Sequence, residues 1–117
     1  MALDLFAGIR VAGRAVALER CRRLFGSQPS FLPSDIEAVR EIAEPRFIFI
    51  EAEPERAGFA RHLIFVEDLD ALVAEIAGRG LDPAERETLP NGVRKVAYHD
   101  PDGNEIGFGG APLGAEG

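Results

Sequence analysis

The sequence predicts an α+β domain built from two β-α-β-β-β modules, which form a paired curved mixed sheet around a central cleft. Three observations carry this. The chain repeats itself: a short apolar strand, a helix, a glycine and a proline recur in the same order, with Val11 matching Val66, Gly26 matching Gly80 and Pro29 matching Pro83. Both intervening segments carry apolar residues at the three-and-four spacing of a buried helical face. The run from Asp100 to Phe108 reads as a tight reversal between two strands, with Pro101 presetting φ and Gly103 supplying a positive one.

Residues 5–11 and 60–66 are the opening apolar strands of the two modules. Ala17, Leu18, Cys21, Leu24 and Phe25 make the buried stripe of a first helix near 14–25, which Gly26 ends. Leu69, Leu72, Val73 and Ile76 repeat the stripe near 69–79, with Asp68 placed to cap that helix and Gly80 to close it. Residues 34–44 are contested. Ser34 and Glu37 have capping-box spacing, whereas the module pattern needs strands there. Topology is the stronger constraint, because tertiary context overrides a weak local preference. Residues 47–52, rich in β-formers and preceded by Pro45, make the fourth strand. The single domain of 1–117 thus divides into modules at about 3–53 and 59–110, joined by the linker 54–58. The tail from Pro112 to Gly117 is small and polar and is expected to fray.

At 117 residues and 46% hydrophobic content, the chain can bury one core. A formal net charge of −7 argues against a nucleic-acid surface and suits a cationic ligand, although solubility alone also accounts for it. The one cysteine, Cys21, permits no internal disulfide. No membrane-length apolar run and no signal pattern stand in the sequence, so the expectation is a cytoplasmic protein without membrane or nucleic-acid partners. No Ser/His/Asp or Cys/His set has a recognisable spacing, and no glycine loop has a phosphate-cradling form.

The Asp-Pro-Asp-Gly-Asn turn at 100–104 and the duplicated pattern together resemble the vicinal oxygen chelate superfamily of glyoxalases, extradiol dioxygenases and bleomycin or fosfomycin resistance proteins. The resemblance covers nearly the whole chain. It implies a cleft between the two sheets, and metal ligands early in the first strand and near the end of the fourth strand of each module. Carried over, these places fall on Phe6, Glu51, Arg61 and Gly107. Phenylalanine and glycine offer no donor, and arginine is a permanent cation. Glu51 alone falls short of the three or four donors a transition metal needs.

The resemblance, with strand alternation, places Phe6, Gly8 and Arg10, and likewise Arg61, Leu63 and Phe65, toward the cleft, while His62 faces the helix layer. The expected ligand-binding set is Phe6, Phe47, Phe49, Glu51, Arg61, Phe65, Tyr98 and His99, with no metal and no cofactor. These phenylalanines, Tyr98 and His99 equally suit packing or plain strand-end roles. Arg61 is expected to pair with Glu51, since an unpaired buried guanidinium is costly.

The leading expectation is a metal-independent small-molecule-binding homodimer of the glyoxalase/bleomycin-resistance type, sequestering a drug or metabolite in an aromatic cleft. A metal-dependent lyase, isomerase or dioxygenase with shifted ligands is one alternative. A structural or regulatory dimer without ligand is another.

Overall fold

The computed structural model describes residues 5–43 and 46–112, so Pro45 and the tail beyond Pro112 lie outside the described residues. The first module runs β1 (Leu5–Val11), α1 (Arg14–Phe25), β2 (Phe31–Ser34), β3 (Glu37–Ala43) and β4 (Arg46–Ala52). A turn of 3-10 helix at Pro54–Arg56 forms the linker, and the second module follows as β5 (Arg61–Phe65), α2 (Leu69–Gly78), β6 (Glu85–Thr88), β7 (Arg94–His99) and β8 (Glu105–Gly110). The two sheets have the same topology, β1-β4-β3-β2 and β5-β8-β7-β6, with the first strand of each module parallel to the fourth and the other pairs antiparallel. The contested segment turns at Asp35 and Ile36 and then forms β3, in which Ala38, Val39 and Arg40 pair with Ile50, Phe49 and Ile48.

Local signals set the helix ends. Gly26 takes φ 77° and returns its N–H to Arg22 O, which closes α1. Asp68 accepts from the Ala71 N–H at 3.0 Å and starts α2. One face of each sheet carries the helices. Ile9, Val11, Ala38, Ile48 and Ile50 from one sheet, and Val96, Tyr98, Ile106 and Phe108 from the other, join Ala17, Leu24, Leu69 and Ile76 in a single core. Arg40 also lies on this side, buried, donating to Ser27 and Gln28 and lying over the Phe25 ring.

The modules are tied where β1 meets the start of β5. The Asn104 amide donates to Arg10 O at 2.8 Å and its oxygen accepts from Ala60 N–H at 2.9 Å. Asp102 Oδ2 accepts from Ala12 N–H at 3.0 Å, and His62 Nε2 lies 3.0 Å from Gly8 O. On the helix side Arg79 donates to the last carbonyls of α1, at Arg23 and Leu24, and Arg20 reaches His99 O. The described residues measure 45 × 37 × 25 Å. Their radius of gyration, 14.7 Å, exceeds the roughly 13 Å expected of a compact chain this long. The helix-free faces of both sheets are left open.

Candidate functional site on the helix-free faces

Strand alternation puts two groups of side chains on these faces. In the first module Phe6 stands opposite Phe47, Gly8 opposite Phe49 and Arg10 opposite Glu51. The Phe6 and Phe47 rings stack at 4.5 Å with planes 9° apart. Phe49 lies flat over Gly8, where an added Cβ would stand 2.7 Å from its ring tip. Glycine is therefore what lets the second aromatic sit down on the sheet. Glu51, Arg10, Phe49, Arg56 and Phe59 line a groove of about 260 Å³, over which Phe59 is almost wholly exposed. Arg10 and Arg56 both pair with Glu53.

In the second module Arg61, Leu63 and Phe65 project from β5 in the predicted phase, and the last two are 56% and 60% exposed. Arg61 does not pair with Glu51 as expected. Its partner is Glu105, directly opposite on β8, with Nε 2.9 Å from Oε2. A same-row neighbour on the adjacent strand needs no backbone adjustment to meet it, whereas Glu51 belongs to the other sheet, opposite Arg10. Glu105 also accepts from His99 at 3.1 Å. These hydrogen bonds, from His99 first and then Arg61, hold its carboxyl below the usual range against the opposing effect of burial.

Tyr98 is the second correction. It lies on the helix side of β7, 2% exposed and edge-on to Phe108 at 5.9 Å, so it belongs to the core and not to the site. The alternation that turns His99 toward the open face turns its neighbour away. Burial raises the Tyr98 hydroxyl above its ordinary value.

The candidate residues thus gather as Phe6, Phe47, Phe49 and Glu51 on one sheet, and Arg61, Phe65 and His99 on the other. No side-chain hydrogen bond or ion pair joins the two sets among the described residues. Sequence reasoning missed Glu105, Phe59 and Phe31. Glu105 was legible, since it sits in register with Arg61 once β8 is set parallel to β5. Gly107 stands opposite Leu63, and a Cβ added there would meet Leu63 Cδ1 at 3.3 Å. Leu63 thus covers Gly107, where the resemblance would put a carboxylate.

The architecture has close counterparts among solved structures. A glyoxalase/bleomycin resistance protein from Catenulispora acidiphila DSM 44928 shares 47% identity, with a TM-score of 0.90 over 95% of this chain and all of that one. The chain belongs to the glyoxalase/bleomycin resistance protein family. That family lies within the vicinal oxygen chelate superfamily, as the closing turn and the duplication imply. A lactoylglutathione lyase from Agrobacterium tumefaciens, at 17% identity, shares the family's fold with a TM-score of 0.73 over 98% of both chains. A bleomycin-binding protein complexed with bleomycin, at 14% identity, also gives 0.73, over 94% of this chain and 98% of that one. No family model matches the sequence, and no curated protein matches it significantly.

Proposed function

We propose that this member of the family binds a small molecule on its open apolar faces, without a metal at the family's ligand places, and works as a cytoplasmic homodimer. The carrying observation is the filling of those places: Phe6 stacked on Phe47, Arg61 bound to Glu105, and Gly107 lying under Leu63. Around them Phe6, Phe31, Leu63 and Phe65 are about half exposed, apolar surface of the kind that a ligand or a partner can cover. Aromatic walls with a few placed charges suit a drug or metabolite with an apolar body. The net charge of −7 favours a cationic one. A second copy would cover the flat molecule's open side and bring a second sheet over the first.

The test is a thermal-shift screen of cationic antibiotics and aromatic metabolites in excess EDTA. A ligand at a hundredfold over its Kd adds about 2.7 kcal/mol, or roughly 10 °C in Tm for a domain of this size. The shift should shrink in Phe6→Ala, an exposed position. Shifts that occur only with added metal would favour the metal-dependent enzyme, and none at all would leave a ligand-free dimer. Light scattering that shows a monomer at micromolar concentration would refute the dimer.

A further inference from the structure

We propose that Glu85, His99 and Glu105 form a site for a divalent transition-metal ion on the open face of the second module, beside Arg61 and Gly107 but using neither. One donor atom from each lies within 4.8 Å of the others, and this is the donor cluster found among the described residues. The three come from adjacent strands. His99 is directly opposite Glu105, and Glu85 pairs with Ala97, two residues before His99 and on the same face. Ala97 carries only a methyl group between them, so nothing bulky from the ladder separates Glu85 from the other two.

The two inner donors already stand at coordination spacing. Nε2 of His99 and Oε1 of Glu105 are 3.1 Å apart. Ligands bound at about 2.0–2.1 Å lie roughly 2.9 Å apart at the corners of an octahedron and roughly 3.3 Å apart in a tetrahedron. Without an ion the contact is a hydrogen bond from Nε2–H to the carboxylate. An entering ion takes the place of that proton, which passes by exchange with solvent to Nδ1, so the ring stays a neutral imidazole and both donors keep their positions. Glu105 is held from behind: its other oxygen accepts from Arg61, the kind of outer contact that orients a ligating carboxylate. Glu85 is exposed on the edge strand and free to swing the remaining distance. One imidazole and two carboxylates suit zinc, cobalt, nickel or manganese, and three protein donors leave at least one position open to water. This donor set uses His99 on the open face, so the proposal departs from the expectation of a cleft without metal.

The inference is independent of the apolar ligand, because its test contains none. Full-length protein stripped with EDTA and dialysed is titrated with ZnCl₂ by calorimetry and with CoCl₂ by visible absorption. One ion per chain is expected, with d–d bands for cobalt. Affinity should fall at least tenfold in His99→Gln and in Glu85→Gln. Glu85 is exposed at the sheet edge, so its variant keeps the test informative if His99→Gln does not fold. No binding at 100-fold excess of zinc over protein, or binding that Glu85→Gln leaves unchanged, overturns the proposal.

Discussion

Replacing Asn104 by alanine tests the joint between the modules. The residue is 2% exposed and its side chain makes three hydrogen bonds, to Arg10 O, Ala60 N–H and Asp100 Oδ2, at 2.8, 2.9 and 2.8 Å. Truncation leaves the Ala60 N–H and the Arg10 carbonyl without their partner, in a place that water reaches poorly. An orphaned buried group costs about 1–3 kcal/mol, so the two together should cost about 3 kcal/mol. That is a large share of the roughly 5–15 kcal/mol available to such a domain. With a urea m-value of about 1.5–2 kcal/mol/M, the midpoint should fall by roughly 1.5–2 M. Asn104→Asp is the sharper variant. It keeps an acceptor for Ala60 but turns an oxygen toward the Arg10 carbonyl and the Asp100 carboxylate. At pH 7 its cost should equal or exceed that of alanine, and the excess should vanish as pH falls and one of the two facing carboxyls takes up a proton. Equilibrium urea unfolding, followed by circular dichroism at several pH values, measures both. A cost below about 1 kcal/mol for Asn104→Ala, or a milder Asn104→Asp at pH 7, would refute the view that this turn holds the modules together.

Two turn glycines should respond differently to substitution. Gly103 has φ 99° with no atom nearer than 3.5 Å to an added Cβ, so Gly103→Val should cost roughly 1 kcal/mol or more through backbone strain alone, read as a lower urea midpoint. At Gly58, φ 98°, the same Cβ would stand 2.3 Å from Asp102 O, so even Gly58→Ala should cost more than Gly103→Ala, and equal midpoints would contradict this packing. On the exposed surface of α1, Glu19 accepts from Arg22 and Arg23, which bring its carboxyl down to about 2. Because the folded value lies below the ordinary 4.5, this pairing stabilises above pH 4.5 and is lost as pH falls toward 2. Carboxyl NMR titration should give a midpoint near 2 at low salt that rises with ionic strength, and a midpoint unmoved from 4.5 would remove the pairing.

The sequence by itself determined the fold, because its signals are local and repeated. The stripes Ala17–Leu24 and Leu69–Ile76, the stops Gly26 and Gly80, and the closing turn each follow from periodicity or from backbone geometry that needs no distant partner. Strand alternation also sent Phe6 and Phe65 to the open face, as found. The same alternation, applied to β7, would have removed Tyr98 from the site, since adjacent residues cannot both face one side. Residues 34–44 show the limit of local reading: a capping-box spacing stood against a strand, and pairing with β4 decided it, as ladder hydrogen bonds outweigh a marginal helix. Other features were set only by the tertiary structure. Asn104 and Asp102 looked like ordinary turn residues, yet their side chains reach Arg10, Ala12 and Ala60. The partner of Arg61, and the meeting of Glu85 with His99 and Glu105, depend on the register of four strands. A shift of one residue in any ladder turns every side chain to the other face, so contacts between strands follow from the assembled sheet and not from the spacing of residues along the chain.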